Sequence, residues 1–205
     1  MEKFVRLGLL IAVVNLILMP GCGQEALRKD APDMWLLINK ARAYPGASYE
    51  LTLENQGQKQ KWNMVAKGQR LRAQGPYQGR DAVAIYNSAM GTVDVLYNDD
   101  RNYCQYPYSP DTDWRYNPYM VLQYIDPNLC KVVREEKVDN VLCLVIEIEY
   151  PYCNVTIWQR EDFGLPARME ISNSPNDQLY EYKNYGLSDY SEEYFVLFKH
   201  DRYEY

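Results

Sequence analysis

Across most of this chain apolar side chains recur at every second position, the period of a half-buried β-strand. Tyr49, Leu51 and Leu53 alternate with Glu50, Thr52 and Glu54, and Trp62, Met64 and Ala66 alternate with Lys61, Asn63 and the exception Val65. Leu71 and Ala73 lie between Arg70, Arg72 and Gln74. Val83 and Ile85 mark the next run, and Val93, Val95 and Tyr97 interleave with Thr92, Asp94 and Leu96. Turn-forming clusters separate these runs: Asn55-Gln56-Gly57, Gln74-Gly75-Pro76, Gln78 to Asp81 and Asn98-Asp99-Asp100. After residue 130 the alternation resumes. Val132 to Val138 turns at Asp139-Asn140 into Leu142, Leu144, Ile146 and Ile148; then come Val155 and Ile157, Ala167, Met169 and Ile171, and Tyr180 and Tyr182. Tyr194 to Lys199 reads as a last strand. The pattern predicts about ten or eleven strands in consecutive antiparallel hairpins with one apolar face.

Two stretches break the period. Met34, Leu37, Ile38 and Ala41 follow the spacing of an amphipathic helix that Asp30 or Asp33 can cap and Pro45-Gly46 ends. Residues 105 to 129 carry Pro107, Pro110, Pro118 and Pro127, which exclude a long regular element. Pro118 can still open a short helix, Tyr119 to Ile125, apolar on nearly every side and therefore expected to lie on the sheet. The fold class is mainly β (α+β), one domain with helices packed on one face.

The N-terminus is different in kind. Lys3 and Arg6 precede an apolar run from Leu7 to Met19, shorter than the roughly 18 to 20 residues of a membrane span and suited to a signal peptide. It ends at Pro20-Gly21-Cys22, which resembles a bacterial lipobox and implies cleavage before Cys22 and a palmitate-bearing lipid anchor on that cysteine. Residues 1–21 are then the lipoprotein signal peptide, 22–31 the lipidated Cys and a polar tether, and 32–205 the folded domain. The expected location is extracytoplasmic, anchored in an outer membrane or on the outer face of a plasma membrane; Gly23 is compatible with outer-membrane sorting. The chain has 22 basic and 28 acidic residues, and two of the former and one of the latter lie in the leader, so the mature chain carries a net charge of −7. Nucleic acid is an unsuited partner for such a chain. Anionic headgroups are too, so contact with the membrane is expected through the anchor.

Twenty tyrosines stand against four phenylalanines. Tyrosine fits half-buried pleated surfaces, and the composition of an exported β-protein explains the excess better than an aromatic binding cage. Apart from Cys22, the even set Cys104, Cys130, Cys143 and Cys153 permits two disulfides, and one or two structural bridges are expected. No C-x-x-C pair occurs, which speaks against a zinc or thioredoxin-like site.

Catalytic chemistry is hard to assemble. His200 is the only histidine and sits in a polar C-terminal segment, and no nucleophile-elbow, zincin, dinucleotide or phosphate-loop motif occurs. Glu147 and Glu149, or Glu135 and Glu136, read as solvated strand positions rather than an acid and base pair. Asp111-Thr112-Asp113 is only a fragment of a calcium loop. Asn154-Val155-Thr156 matches a glycosylation sequon, which means little if the lipobox marks a bacterium. No enzyme, cofactor or metal is expected. A twisted sheet of this size tends to curl, and two modest helices leave its apolar face incompletely filled. Such a cavity suits an acyl chain, at about 0.8 kcal/mol per buried methylene.

The order of elements carries a family resemblance: the helix at 33 to 43, the Tyr49 strand, Lys67 to Arg72, Gly91 to Asn98, and the proline-broken insert after Tyr106-Pro107. Val138 to Cys143 follows, then Trp158 to Glu170 with its acidic turn and Leu165-Pro166, continuing into Tyr180 to Tyr185. Beyond its leader the chain resembles the outer-membrane lipoprotein-sorting superfamily of carriers and receptors. The resemblance implies a single curved sheet forming an unclosed half-barrel, covered on its concave face by two or three short helices. It also implies acyl chains or lipoproteins as ligands. Cys22 points to the anchored branch, and the four later cysteines are not part of the carrier pattern. Trp62, Met64, Leu71, Ile85, Val95, Tyr119 and Met120 are the cavity candidates. The expected function is a membrane-anchored protein that binds a lipid acyl chain or lipoprotein. The alternative is an envelope stress-sensing or protein-interaction module that uses the same fold to dock a protein partner.

Overall fold

The computed structural model describes residues 31–100, 103–109, 114–126 and 129–197. Helix α1 (Ala31–Arg42) leads into five strands, β1 (Ala47–Asn55), β2 (Gln58–Lys67), β3 (Arg70–Tyr77), β4 (Arg80–Asn87) and β5 (Thr92–Tyr97), and then a short β6 (Cys104–Pro107). A 3-10 turn (Trp114–Tyr116) and helix α2 (Pro118–Tyr124) follow. The second run comprises β7 (Lys131–Val138), β8 (Val141–Tyr150), β9 (Cys153–Arg160), β10 (Pro166–Ser172) and β11 (Gln178–Leu187), and a second 3-10 turn spans Glu192–Phe195.

The eleven strands of the described residues form one antiparallel sheet in the order β6-β5-β4-β3-β2-β1-β11-β10-β9-β8-β7. Its edges are β6 and β7, so the barrel is not closed. β1 is the seam: it pairs with β2 on one side and with β11 on the other, Leu51 facing Trp62 and Tyr182. Asp139 and Asn140 both take positive φ, the backbone of a two-residue hairpin turn whose twist matches its strands, as their sequence suggests.

Inward positions form one continuous core: Tyr49, Leu51, Met64, Leu71, Tyr86, Val95, Leu144, Ile146, Ile157, Met169, Tyr180 and Tyr182 among others, closed by Met34, Leu37 and Ala41 of α1 and Val121 and Leu122 of α2. A smaller cluster lies on the convex face, where Cys143, Val145, Trp158 and Ala167 pack together. The Arg168 guanidinium lies over the Trp158 ring, 4.7 Å from its centroid, in cation–π contact.

Three sequence expectations are corrected. The insert that begins at residue 105 contains β6, which extends the sheet beside β5. Residues 194–197 do not continue the sheet. The place beside β11 is already taken by β1, and the tail instead crosses the convex face, where Lys67 donates to Tyr190 O (2.9 Å) and Arg72 to Tyr194 O (3.3 Å). In β4 the inward phase is Ala82, Ala84 and Tyr86, not Val83 and Ile85: Ala84 pairs with Ala73 and Tyr86 with Leu71, whereas Ile85 faces Arg72 and Asp94.

Candidate functional site

Aromatic and hydrogen-bonding side chains plug one end of the half-barrel. Gly164, at φ +77°, brings the β9–β10 turn so close to α1 that a Cβ there would overlap Leu37 O, and the buried Gln159 donates from Nε2 to Gly164 O. Lys40 donates to Glu161 O at 2.7 Å. Tyr44, Phe163, Tyr185 and Tyr49 continue this contact as a chain of ring pairs into the sheet, with centroids 5.2 to 6.3 Å apart. α2 is fixed separately. Asn117 is buried and accepts from Tyr119 N at 3.0 Å as N-cap, with Pro118 at the first helical position, while its Nδ2 donates to Gly68 O at 2.9 Å. The 3-10 turn before it hangs from two strand tyrosines: Tyr49 Oη donates to Tyr116 O (2.6 Å) and Tyr182 Oη to Arg115 O.

The lid stops short of the other end, and a cavity of about 180 Å³ remains there. Its floor is made by the small residues Ala73, Gly75, Ala82 and Ala84 of β3 and β4. Trp62, Tyr77, Tyr86 and Tyr116 form the walls, with Leu51 and Met64 behind them and Gln60 and Gln78 at the mouth. Among the described residues no charged side chain lines it. Trp62 is held in place by a bond from Nε1 to Pro76 O (3.0 Å), and only a residue without a Cβ at position 75 leaves room for its indole. Tyr106 stacks behind Tyr77 at 6.2 Å, and Tyr108 meets Tyr86 edge-on at 5.1 Å.

At about 30 Å³ per water-sized unit, this space holds roughly six such groups. A drug-sized ligand needs about 300 Å³ or more. The site therefore fits the end of one aliphatic chain or a single ring, not a whole lipid. Six methylenes supply about 5 kcal/mol of burial, much of which the cost of association offsets. Tight binding needs either a shift of the lid or further contacts outside the cavity.

Of the residues singled out in the sequence, Trp62 and Met64 line this cavity. Leu71 and Val95 belong to the packed core next to it. Tyr119 lines a separate space of about 220 Å³ between the helices and Gly68, and Met120 is buried on α2. Ile85 is buried on the opposite face of the sheet, because Val and Ile outrank Ala in hydrophobicity but the pairing register, not the ranking, decides the face. The floor residues and Tyr77, Tyr86 and Tyr116 are not among the sequence candidates. The signal that could have found them is a run of small residues at inward positions of neighbouring strands, which leaves a void where larger side chains would have filled the core.

The four described cysteines are thiols. None of the expected disulfides is present among the described residues. Cys104 is exposed on the β6 edge and Cys143 lies in the convex-face cluster. Cys130 precedes β7 and Cys153 opens β9, with β8 between them, so about two strand spacings of ~4.8 Å exceed the ~7 Å reach of a bridge. Burial pushes the Cys130 and Cys143 thiols up to about 11, which makes them poor nucleophiles. Burial also raises Tyr49, Tyr182 and Tyr185 well above the ordinary tyrosine value, and Tyr119 to about 12. Glu149 and Glu147 pair with Lys131 (3.2 Å) and Arg134 (3.8 Å) on the exposed face. Among the described residues no group of three or more His, Cys, Asp or Glu could hold a metal. Cys22, Asp111 to Asp113 and His200 lie outside the described residues.

The fold and its lidded concave face define an unclosed antiparallel half-barrel. No protein-family model and no curated protein matches the sequence. Solved structures do share the fold. MucB aligns at TM-score 0.56 and 13% identity, over 82% of this chain and 62% of that one. The Pseudomonas aeruginosa MucA/MucB complex aligns at TM-score 0.51 and 11% identity, over 82% and 60%. An uncharacterised conserved protein from Thermus thermophilus aligns at TM-score 0.53 and 6% identity, over 78% and 91%. The chain spans about three fifths of the MucB chains it matches.

Proposed function

We propose that this protein is a membrane-anchored extracytoplasmic lipoprotein that binds an acyl chain, free or carried by a lipoprotein, in its half-barrel. The observation that carries this reading is the cavity walled by Trp62, Tyr77, Tyr86 and Tyr116 over a floor of small residues, with no charged group among the described residues that line it. A lining of this kind selects by shape and apolarity, and its described residues include no carboxylate, imidazole, amine or thiol, which supports a binding role over an enzymatic one. The lipobox at Cys22 supports anchoring, and the resemblance to the lipoprotein-sorting superfamily supports the class of ligand.

The second reading is an interaction module that docks an envelope protein. It is favoured by the small volume of the cavity and by the shared fold with MucB, which has been solved with MucA. Mass spectrometry of the chain extracted from membranes distinguishes the two. The acyl-binding reading expects one co-purifying chain per protein, or palmitate uptake by the lipid-free protein. A clean protein with no fatty-acid affinity, crosslinked in cells to one envelope protein, would transfer the function to the second reading.

A further inference from the structure

Helix α1 carries its own unpartnered face. Met34, Leu37 and Ala41 are buried in the core and Ile38 is buried facing α2, but Trp35 and Leu36 stand outward with 49% and 56% of their surfaces exposed. Asn39 and Arg42 continue that outward line one and two turns further along, and the last turn is basic. A tryptophan and a leucine at one end of a helix, with an arginine two turns on, is the composition of a side that lies in a bilayer interface.

The tether decides which surface can meet this face. Nine residue steps separate Cys22 from Ala31, a reach of at most about 32 Å at ~3.6 Å per residue. A ten-residue strand such as β2 is itself about 33 Å long, so an anchored domain cannot stand more than one molecule-length from its membrane. α1 is the first described element after that tether. Held so close, two apolar side chains need little intrinsic affinity, because the anchor supplies the effective concentration.

We propose that the Trp35–Leu36 face of α1 rests on the bilayer surface to which Cys22 is anchored, an inference that rests on the lipid-anchor reading. It fixes an orientation. α1 packs at the end of the sheet formed by the β2–β3 and β9–β10 turns, whereas the cavity opens at the opposite end, by Gln60 and the β3–β4 turn. The mouth then points away from the anchoring membrane, towards cargo or a partner arriving from the aqueous side.

The full chain, purified from membranes and reconstituted into phosphatidylcholine vesicles with brominated acyl chains, tests this through tryptophan emission. Bromolipid quenching is expected in the wild type and its loss in Trp35→Phe, with Leu36→Ser reducing it while Trp35 is kept. Equal quenching in wild type and Trp35→Phe would overturn the proposal and assign the effect to lipid taken up beside Trp62. Vesicle-bound protein without quenching would overturn it while leaving the anchor reading intact. Protein that does not float with the vesicles would overturn both, and the intact mass of the Cys22 peptide would then show the missing lipid.

Discussion

Single residues hold the lid of this protein in place. Asn117 serves α2 twice, as the cap of its first turn, in a buried bond, and as donor to Gly68 O, in a half-buried one. Asn117→Ala removes the cap and the bond to Gly68 O, a loss of about 1 to 2 kcal/mol. A lower thermal midpoint, with faster hydrogen exchange in α2 than in the sheet, is the expected outcome. The buried tyrosines act at another pH. Tyr49, Tyr182 and Tyr185 have raised values in the folded chain because burial penalises the phenolate. Unfolded tyrosine ionises near pH 10. Below that pH their contribution to stability is complete. Above it the unfolded state releases protons that the folded state retains, so stability falls as pH rises. Cooperative unfolding above about pH 10 is expected, with tyrosinate absorbance appearing together with the loss of circular dichroism; gradual titration of all tyrosines in a folded protein would contradict this.

At the scale of elements, the strands are legible in the sequence because a period of two is forced by the pleat wherever one face is buried. Helix α2 is legible too, from Pro118 and an apolar run that has to be covered. What the sequence conceals has one cause in each case. β4 is apolar on both faces, Ala82, Ala84 and Tyr86 against Val83 and Ile85, and only its pairing with β3 selects the inward set. β6 is four residues long and contains Pro107, too short for a period to show. The segment at Tyr194 and Phe195 reads as a strand because its side chains suit one, but an element can join a sheet only at a free edge, and both edges lie far from β11. The cavity follows from the β4 correction: Ala82 and Ala84 face Gly75 and Ala73 across the ladder, and small residues at adjacent inward positions leave space.

For the whole molecule, the two ends of the half-barrel have different roles. One is closed by α1, α2 and the β9–β10 turn, and the other keeps an aromatic-walled space of about 180 Å³. In the proposed binding role a molecule built in this way would hold part of an acyl chain rather than enclose a lipid, which suits receiving or sensing cargo better than carrying it through solution. The central claim is that this space is the binding site, and filling it is the most direct test. Ala84→Leu adds three carbon atoms to the floor, enough to displace about three methylenes, or about 2 kcal/mol. The decisive measurement is the affinity of the lipid-free protein for palmitate, with circular dichroism and the thermal midpoint confirming that the variant is folded. A loss of roughly tenfold or more in the folded Ala84→Leu protein is the expected result; an affinity equal to that of the wild type would contradict the account.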